Sequence, residues 1–267
     1  MIRSFLLSLL LLLAPQAWAE TNPFPRVAKA YLVEIDGNPV WGKQTDRQLP
    51  QASLTKLMTS LLVMERANPS SVVEVSRAAA RETGHRIRLR AGDRLRVEDL
   101  LAATLISSAN DACHALADHV GGNEENFVRI MNKRAKELGL HDTHFQNACG
   151  HDHPDHYSTA ADLATLANAV IAKNPDVFDL VAQSRTSIRD VRGRRAFILK
   201  NSNHLIGRYE GAMGLKTGFT PNAGKCLVAV AERGGKRVLL VLLNAPDRWW
   251  DAQDMLDLAF ANVAPTS

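Results

Sequence analysis

Ser53 and Lys56 stand three residues apart in "PQASLTKLMTSLLVME", at the head of an apolar helical stretch. Side chains at i and i+3 share a helix face, so this spacing sets a hydroxyl beside an amine. A serine hydroxyl is a weak nucleophile until a neighbouring base takes its proton. A lysine does so when burial or nearby cations lower its pKa. The start of a helix adds unpaired backbone N–H groups, which suit a carbonyl oxygen turning negative during acyl transfer. Ser-x-x-Lys alone is a common spacing and decides nothing. Two further clusters change its weight. "LISSANDACHALADH" places Ser107-Ser108-Ala109-Asn110 at the break between two apolar helices, and "GAMGLKTGFTPNAGKCLVAV" places Lys216-Thr217-Gly218 on the edge of a β hairpin. Singly, each has an ordinary explanation: Asn110 or Asp111 as a helix cap, Lys216 as a charge guarding a sheet edge. The ordered set Ser-x-x-Lys, Ser-x-Asn, Lys-Thr-Gly is harder to attribute to accident. Ser108 is two before Asn110, so Ser107 falls outside the motif.

A second constellation competes. "GHDHPDHY" carries His151, His153, Asp155 and His156 in the His-x-His-x-Asp-His spacing that opens zinc sites of metallo-β-lactamase type. Such a site needs three or four placed ligands with supporting partners. Here the preceding "DTHFQNACG" is turn-like, His204 is the one histidine left downstream, and no cysteine occurs before Cys226. The stretch reads as a polar loop, with incidental binding of a surface metal ion by His151, His153 and His156 as the alternative. No catalytic metal or other cofactor is expected.

The elements that must position these groups follow from periodicity. "VAKAYLVEI", Asp36-Gly37-Asn38 and "PVWGK" read as strand, tight turn and strand; "CLVAVAE" and "RVLLVLLN", joined by Arg233-Gly234-Gly235, repeat the signal near the other end. These apolar runs are uninterrupted, so the strands should be covered on two faces. Between them, 53–66, 97–107, 111–120, 123–138 and 161–173 read as helices, with Asn123 as an N-cap and Gly139 as a stop. A final helix is expected over Trp249 to Phe260. The alternation Arg86-Ile87-Arg88-Leu89-Arg90 reads as a strand with one wet face. The expected fold is α+β: an antiparallel sheet from N- and C-terminal segments, helices on both faces, and an inserted helical lobe over about 60–205.

Composition bounds the rest. "MIRSFLLSLLLLLAPQAWAE" has the charged start, apolar core and Ala-Trp-Ala site of a secretory signal peptide, so residues 1–19 are set aside. Its apolar run is shorter than the ~20 residues a membrane span needs, which leaves a retained anchor as the lesser reading. Without it the chain has 248 residues and, lacking Arg3, a formal charge of +3 in place of +4. That length supports a sizeable core; 20–267 reads as one domain. The arginines between Arg77 and Arg96 read as a solvated face, and no nucleic-acid partner is expected. Cys113, Cys149 and Cys226 cannot all pair within one chain and show no disulfide framework. Cys113 and Cys226, in apolar runs, read as buried free thiols.

On these motifs the chain resembles the penicillin-recognising serine D,D-peptidases, the low-molecular-mass penicillin-binding proteins, whose fold is β-lactamase/transpeptidase-like. "ASLTKLMTS", "LLAATLISSANDA", "FQNACG…HYSTAADLATLA" and "YEGAMGLKTGFTPNAGKCLVAVAERGGKRVLLVLL" are similar to segments of that family, in order, over essentially the whole mature chain. The middle motif departs from Ser-Asp-Asn as Ser-Ala-Asn. The resemblance implies that Ser53 is acylated by a terminal D-Ala-D-Ala bond, with Lys56 as its base. Ser108 and Lys216 would relay a proton to the leaving amine, Lys216 also setting the positive field, while Asn110 would hydrogen-bond the substrate backbone. Thr217 and Gly218 would line the strand on which substrate lies, the N–H groups of Ser53 and Phe219 would form the oxyanion hole, and Arg248 in "NAPDRWWD" would face a carboxylate. It further implies β-lactams as acylating inhibitors, peptidoglycan stem peptides as substrates, and a soluble periplasmic enzyme with no stable membrane anchor. Carboxypeptidase action is the favoured reading and D,D-endopeptidase action on cross-links the alternative. A serine β-lactamase is remote, since no glutamate occurs between Glu137 and Glu210 to deacylate the enzyme as in class A.

Overall fold

A computed structural model describes residues 22–261; the expected signal peptide lies outside them. Five antiparallel strands form the main sheet: β1 (Ala30–Ile35), β2 (Asn38–Lys43), β7 (Ala212–Thr220), β8 (Gly224–Arg233) and β9 (Lys236–Leu243). Their order is β2-β1-β9-β8-β7, so the first and last parts of the chain meet where Val33 pairs with Leu240. Successive side chains on a strand point to opposite faces, which explains why "RVLLVLLN" is apolar without a break. Leu239, Val241 and Leu243 face one core with the helices α1 (Lys56–Arg66) and α6 (Ala160–Lys173). Val238, Leu240 and Leu242 face a second core closed by Met255, Leu256 and Ala259 of the C-terminal α8 (Arg248–Ala261). Helices therefore cover both faces, and the α+β expectation holds.

The helical part lies between β2 and β7. It holds β3 (Val72–Glu74), α2 (Arg77–Ala80), β4 (Arg94–Arg96), α3 (Val97–Ile106), α4 (Asn110–Gly121), α5 (Glu124–Glu137), α7 (Val177–Val181), and the hairpin β5 (Arg185–Arg189) with β6 (Ala196–Lys200). A third apolar cluster, with Leu100, Ile106, Leu116, Phe197 and Leu199 fully or nearly buried, belongs to this part. The anticipated caps are present: the Asn123 side chain accepts from the Asn126 N–H at 2.8 Å, and Gly139 takes the left-handed φ of +73° after α5.

Two expectations fail. Residues 86–90 form no strand. The Ile87 and Leu89 N–H groups donate to the two carboxylate oxygens of Asp111, at 3.2 and 2.9 Å, so a side chain on α4 satisfies the backbone that a partner strand was expected to bind. Cys113 is not a free thiol: it is disulfide-bonded to Cys149, leaving Cys226 as the buried free cysteine. The 36-residue separation concealed a pair that α4 and the loop after α5 bring together.

Candidate active site

Ser53 sits in a 3₁₀ turn, Ala52–Thr55, that runs directly into α1. A 3₁₀ turn nearly eclipses side chains at i and i+3, which brings Lys56 Nζ to 2.9 Å from Ser53 Oγ. The turn is held from below. The Thr55 hydroxyl donates to the Ala52 carbonyl at 2.8 Å, and His156 Nε2 lies 2.7 Å from Thr55 Oγ1. His156 Nδ1 accepts the Gln146 N–H at 3.0 Å, so its proton sits on Nε2 and points at Thr55. Burial pushes the His156 pKa down to about 3, with the positive fields of neighbouring histidines adding to it. The ring is therefore neutral at ordinary pH. At Gly150 (φ +90°) a Cβ would stand 2.0 Å from the Ala52 carbonyl oxygen, so only glycine allows the 147–151 loop to lie this close to the serine turn.

Two other elements close on this turn. Between α3 and α4, Ser108 adopts a left-handed φ of +61°, which directs the two adjacent serines differently. Ser107 Oγ donates back to the Ala103 carbonyl at 3.0 Å, whereas Ser108 Oγ accepts from Lys216 Nζ at 2.8 Å. Asn110, the first residue of α4, accepts from Lys56 Nζ through Oδ1 at 2.7 Å and donates through Nδ2 to the Thr83 carbonyl at 2.7 Å. Its second amide N–H is left over for another acceptor. The Cys149 carbonyl takes the third Lys56 contact at 2.6 Å. On the far side β7 is the last strand of the sheet, and its Lys216 also donates to the Thr217 carbonyl at 2.9 Å. The Thr217 hydroxyl is 2.7 Å from that of Ser202.

A cleft of about 550 Å³ results, lined by Ser53, Ser108, Asn110, Thr217, Gly218, Phe219 and Arg248 among others. Lys56 and Lys216 lie beneath it, 0% and 1% exposed. Arg248 reaches its wall through hydrogen bonds from Nη1 to the Gly218 and Cys226 carbonyls, at 2.7 and 3.0 Å. Every site residue read from the sequence is thus brought to one place. No carboxylate lines the cleft among the described residues.

Two amines buried this close cannot both carry charge cheaply. Burial lowers the Lys56 pKa to about 7, against an opposing pull from Glu82. Lys216 falls well below the ordinary lysine range, first through burial and then through the positive fields of Lys56 and Arg248. Three acceptors surround the Lys56 amine, so its charged form is fully hydrogen-bonded and its neutral form is still in place to take a proton from Ser53.

Glu82 was not legible as a site residue. It joins His114 Nδ1 at 2.6 Å to His151 Nε2 at 2.7 Å. Burial works against the charge on each partner. For Glu82 the hydrogen bonds from both histidines prevail and hold the pKa at about 2; for His114 those to Asp118 and Glu82 prevail and hold it at about 10. His151 lines the cleft and His156 lies under it, while His153 Nδ1 accepts the Asp155 N–H at 3.1 Å. The three histidines of "GHDHPDHY" thus have separate partners, and His156 is structural support where a polar loop residue was expected.

A hydroxyl beside a buried amine, set between a mainly helical lobe and the edge of an antiparallel sheet, defines a serine enzyme of the penicillin-recognising fold. The S11 peptidase profile, described as D-alanyl-D-alanine carboxypeptidase, matches residues 20–247. The D-alanyl-D-alanine carboxypeptidase DacF of Bacillus subtilis is 37% identical over 268 residues, covering 95% of this chain and 68% of its own length. The Streptomyces K15 DD-transpeptidase superposes with a TM-score of 0.83 at 31% identity, covering 88% of this chain and 97% of that one. Penicillin-binding protein D2 of Listeria monocytogenes, in its ampicillin-bound form, superposes at 0.76 with 32% identity, covering 88% and 97%. The chain belongs to the D-alanyl-D-alanine carboxypeptidase family of serine peptidases. It spans 53–68% of the length of the first four curated relatives it matches.

Proposed function

We propose that the protein removes the terminal D-Ala from peptidoglycan stem pentapeptides through an acyl-enzyme on Ser53. One observation carries this reading: Lys56 Nζ lies 2.9 Å from Ser53 Oγ under a cleft edged by β7. The substrate peptide adds to the free edge of β7 at Thr217 and Gly218, with its backbone against the second N–H of Asn110. Neutral Lys56 takes the Ser53 proton, and Oγ bonds to the carbonyl carbon of the penultimate D-Ala. The oxygen that becomes negative is met by the Ser53 and Phe219 N–H groups. Breaking the C–N bond places an electron pair on the leaving amine, which receives its proton through Lys216 and Ser108. Arg248 holds the carboxylate of the departing D-Ala. Water then adds to the ester and returns the proton to Ser53.

β-lactams, which present a similar acylating carbonyl, are inhibitors in this reading. Among the described residues no carboxylate lines the cleft, and this supports slow loss of the penicilloyl group. Residues 1–19 act as a signal peptide and 20–267 as one catalytic domain delivered to the periplasm. The Cys113–Cys149 disulfide supports an oxidising compartment. No helix among the described residues is long and apolar enough to cross a membrane.

Ser53→Ala tests the reading, because it removes one oxygen and little packing. Covalent labelling by fluorescent penicillin and release of D-Ala from a pentapeptide should both vanish while the melting temperature holds. Labelling that persists in Ser53→Ala would show the nucleophile to be another residue.

A further inference from the structure

Behind the wall of the cleft, three elements bring metal-ligand side chains together. Glu82 comes from the loop after α2, His114 from the middle of α4, and Glu124 opens α5. One donor atom from each lies within 4.8 Å of the others, and among the described residues no other three histidine, cysteine or carboxylate groups converge so closely. His114 Nδ1 is the hub, 2.6 Å from Glu82 Oε1 and 3.8 Å from Glu124 Oε2. The side chains of His114, Glu82 and Glu124 are 9%, 12% and 28% exposed, so the group is largely desolvated yet open on the Glu124 side.

Metal-binding histidines and carboxylates are held from behind by partners on their other atom. Here each of the three is so held. His114 Nε2 lies 3.5 Å from Asp118 Oδ1, and Asp118 Oδ2 in turn accepts the Ser76 hydroxyl at 2.7 Å. Glu82 Oε2 is 2.7 Å from His151 Nε2, and Glu124 Oε1 accepts the Ala148 N–H at 2.9 Å. The carboxylates of Glu82, Asp118 and Glu124 surround His114, and among the described residues no lysine or arginine forms a salt bridge with any of them. Their charge is left to imidazoles, which exchange a proton for a metal. One imidazole nitrogen with two carboxylate oxygens suits zinc, whereas magnesium and calcium favour oxygen alone. A tetrahedral zinc with bonds of about 2.0–2.2 Å keeps its ligand atoms about 3.3 Å apart. Opening the 2.6 Å contact and closing the 3.8 Å one reaches that spacing through small side-chain shifts.

We propose that Glu82, His114 and Glu124 bind one zinc ion through Oε1, Nδ1 and Oε2, with water in the fourth position. The ion takes the place of the proton that His114 Nδ1 gives Glu82, so the pH behaviour of this network belongs to the metal-free protein. The site is structural. Thr83, next to Glu82, accepts from Asn110 through its carbonyl, and Ala148, held by Glu124, precedes the Cys149 carbonyl that accepts from Lys56. Zinc therefore ties together the segments around Lys56 without entering the cleft, which none of its three ligands lines. The inference stands apart from the acyl-enzyme reading, since binding is measured without substrate.

For the test, untagged protein stripped with chelator is titrated with zinc chloride by calorimetry, alongside Glu124→Gln, His114→Gln, Asp118→Asn and His153→Gln. Wild type should bind one equivalent and melt at a higher temperature with zinc present. Loss of a ligand in Glu124→Gln or His114→Gln should weaken binding about a hundredfold, and loss of the supporting carboxylate in Asp118→Asn about tenfold or more. His153→Gln, altered on the exposed part of the neighbouring histidine loop, should bind as wild type does. Far-UV circular dichroism checks that each variant is folded. Glu124→Gln keeps an acceptor for the Ala148 N–H and decides the matter if His114→Gln fails to fold. No binding by wild type, unchanged affinity in Glu124→Gln, or loss in His153→Gln alone would each overturn the site. Labelling by fluorescent penicillin should persist at saturating zinc; zinc that competes with penicillin would put the ion in the cleft and sink the assignment.

Discussion

A lysine amine with a pKa of about 7 is a base at neutral pH, whereas an exposed lysine is not. In the proposed mechanism acylation of Ser53 requires neutral Lys56, so kcat/KM for penicillin acylation should rise with pH through a midpoint near 7. Glu82 opposes that lowering, because its negative charge favours the ammonium form. Glu82→Gln should therefore move the midpoint to lower pH; an unchanged profile would show that Glu82 does not act on Lys56. His114 has the opposite sign. Its folded pKa, about 10, stands above the ordinary histidine value of 6.5. Its contribution to stability is fully present below 6.5 and is lost as pH rises toward 10. The two buried lysines, with lowered folded pKa values, pull the wild-type profile the other way over this range, so the His114 contribution is read as a difference: the stability that His114→Gln loses relative to wild type in chemical denaturation should shrink as pH rises from 6 to 10.

At the scale of elements, three pieces of chain meet at Lys56: the 3₁₀ turn before α1, the head of α4, and the loop carrying the Cys149 carbonyl. The disulfide joins the second to the third, so it supports both stability and the position of an acceptor for the Lys56 amine. In the chain-entropy account, a link closing 36 residues contributes about 4 kcal/mol. Cys113→Ala/Cys149→Ala should lose much of that in denaturant titrations and should acylate more slowly even where fully folded. A thiol reductant should reproduce both effects in wild type and leave the double variant unchanged. Equal acylation rates in the two proteins would confine the disulfide to a stabilising role.

For the whole molecule, the apolar layers and the reactive groups are distinct sets, and their substitutions should separate. Leu242, fully buried between the sheet and α8, holds fold and touches no reactive atom. Leu242→Ala should cost about 2–5 kcal/mol of stability while the folded fraction acylates normally. Lys216→Ala removes a desolvated amine, so stability should change little while acylation slows by about 10²-fold or more. Parallel loss of both properties in Lys216→Ala would mark that lysine as structural.

Much was decided by local order along the chain. Ser53-x-x-Lys56 needs one turn of helix to bring its groups together, and three residues of spacing determine that. Uninterrupted apolar runs bounded by turn residues likewise placed the strands at both ends, because both faces of such strands must be buried, and an apolar repeat of three to four residues placed the helices between them. Ser107 and Ser108 were told apart by spacing alone, and the backbone at Ser108 points each where that spacing requires. What escaped reading has one cause: it depends on partners far away in the chain. The Asp111 carboxylate replaces a strand at Ile87 and Leu89, Cys113 finds Cys149 across 36 residues, and Glu82 meets His114 and His151. Local pattern carries no record of such meetings. Burial of Lys56 and Lys216, which sets their pKa values and hence the chemistry, exists only once the helical lobe and the sheet have closed over them.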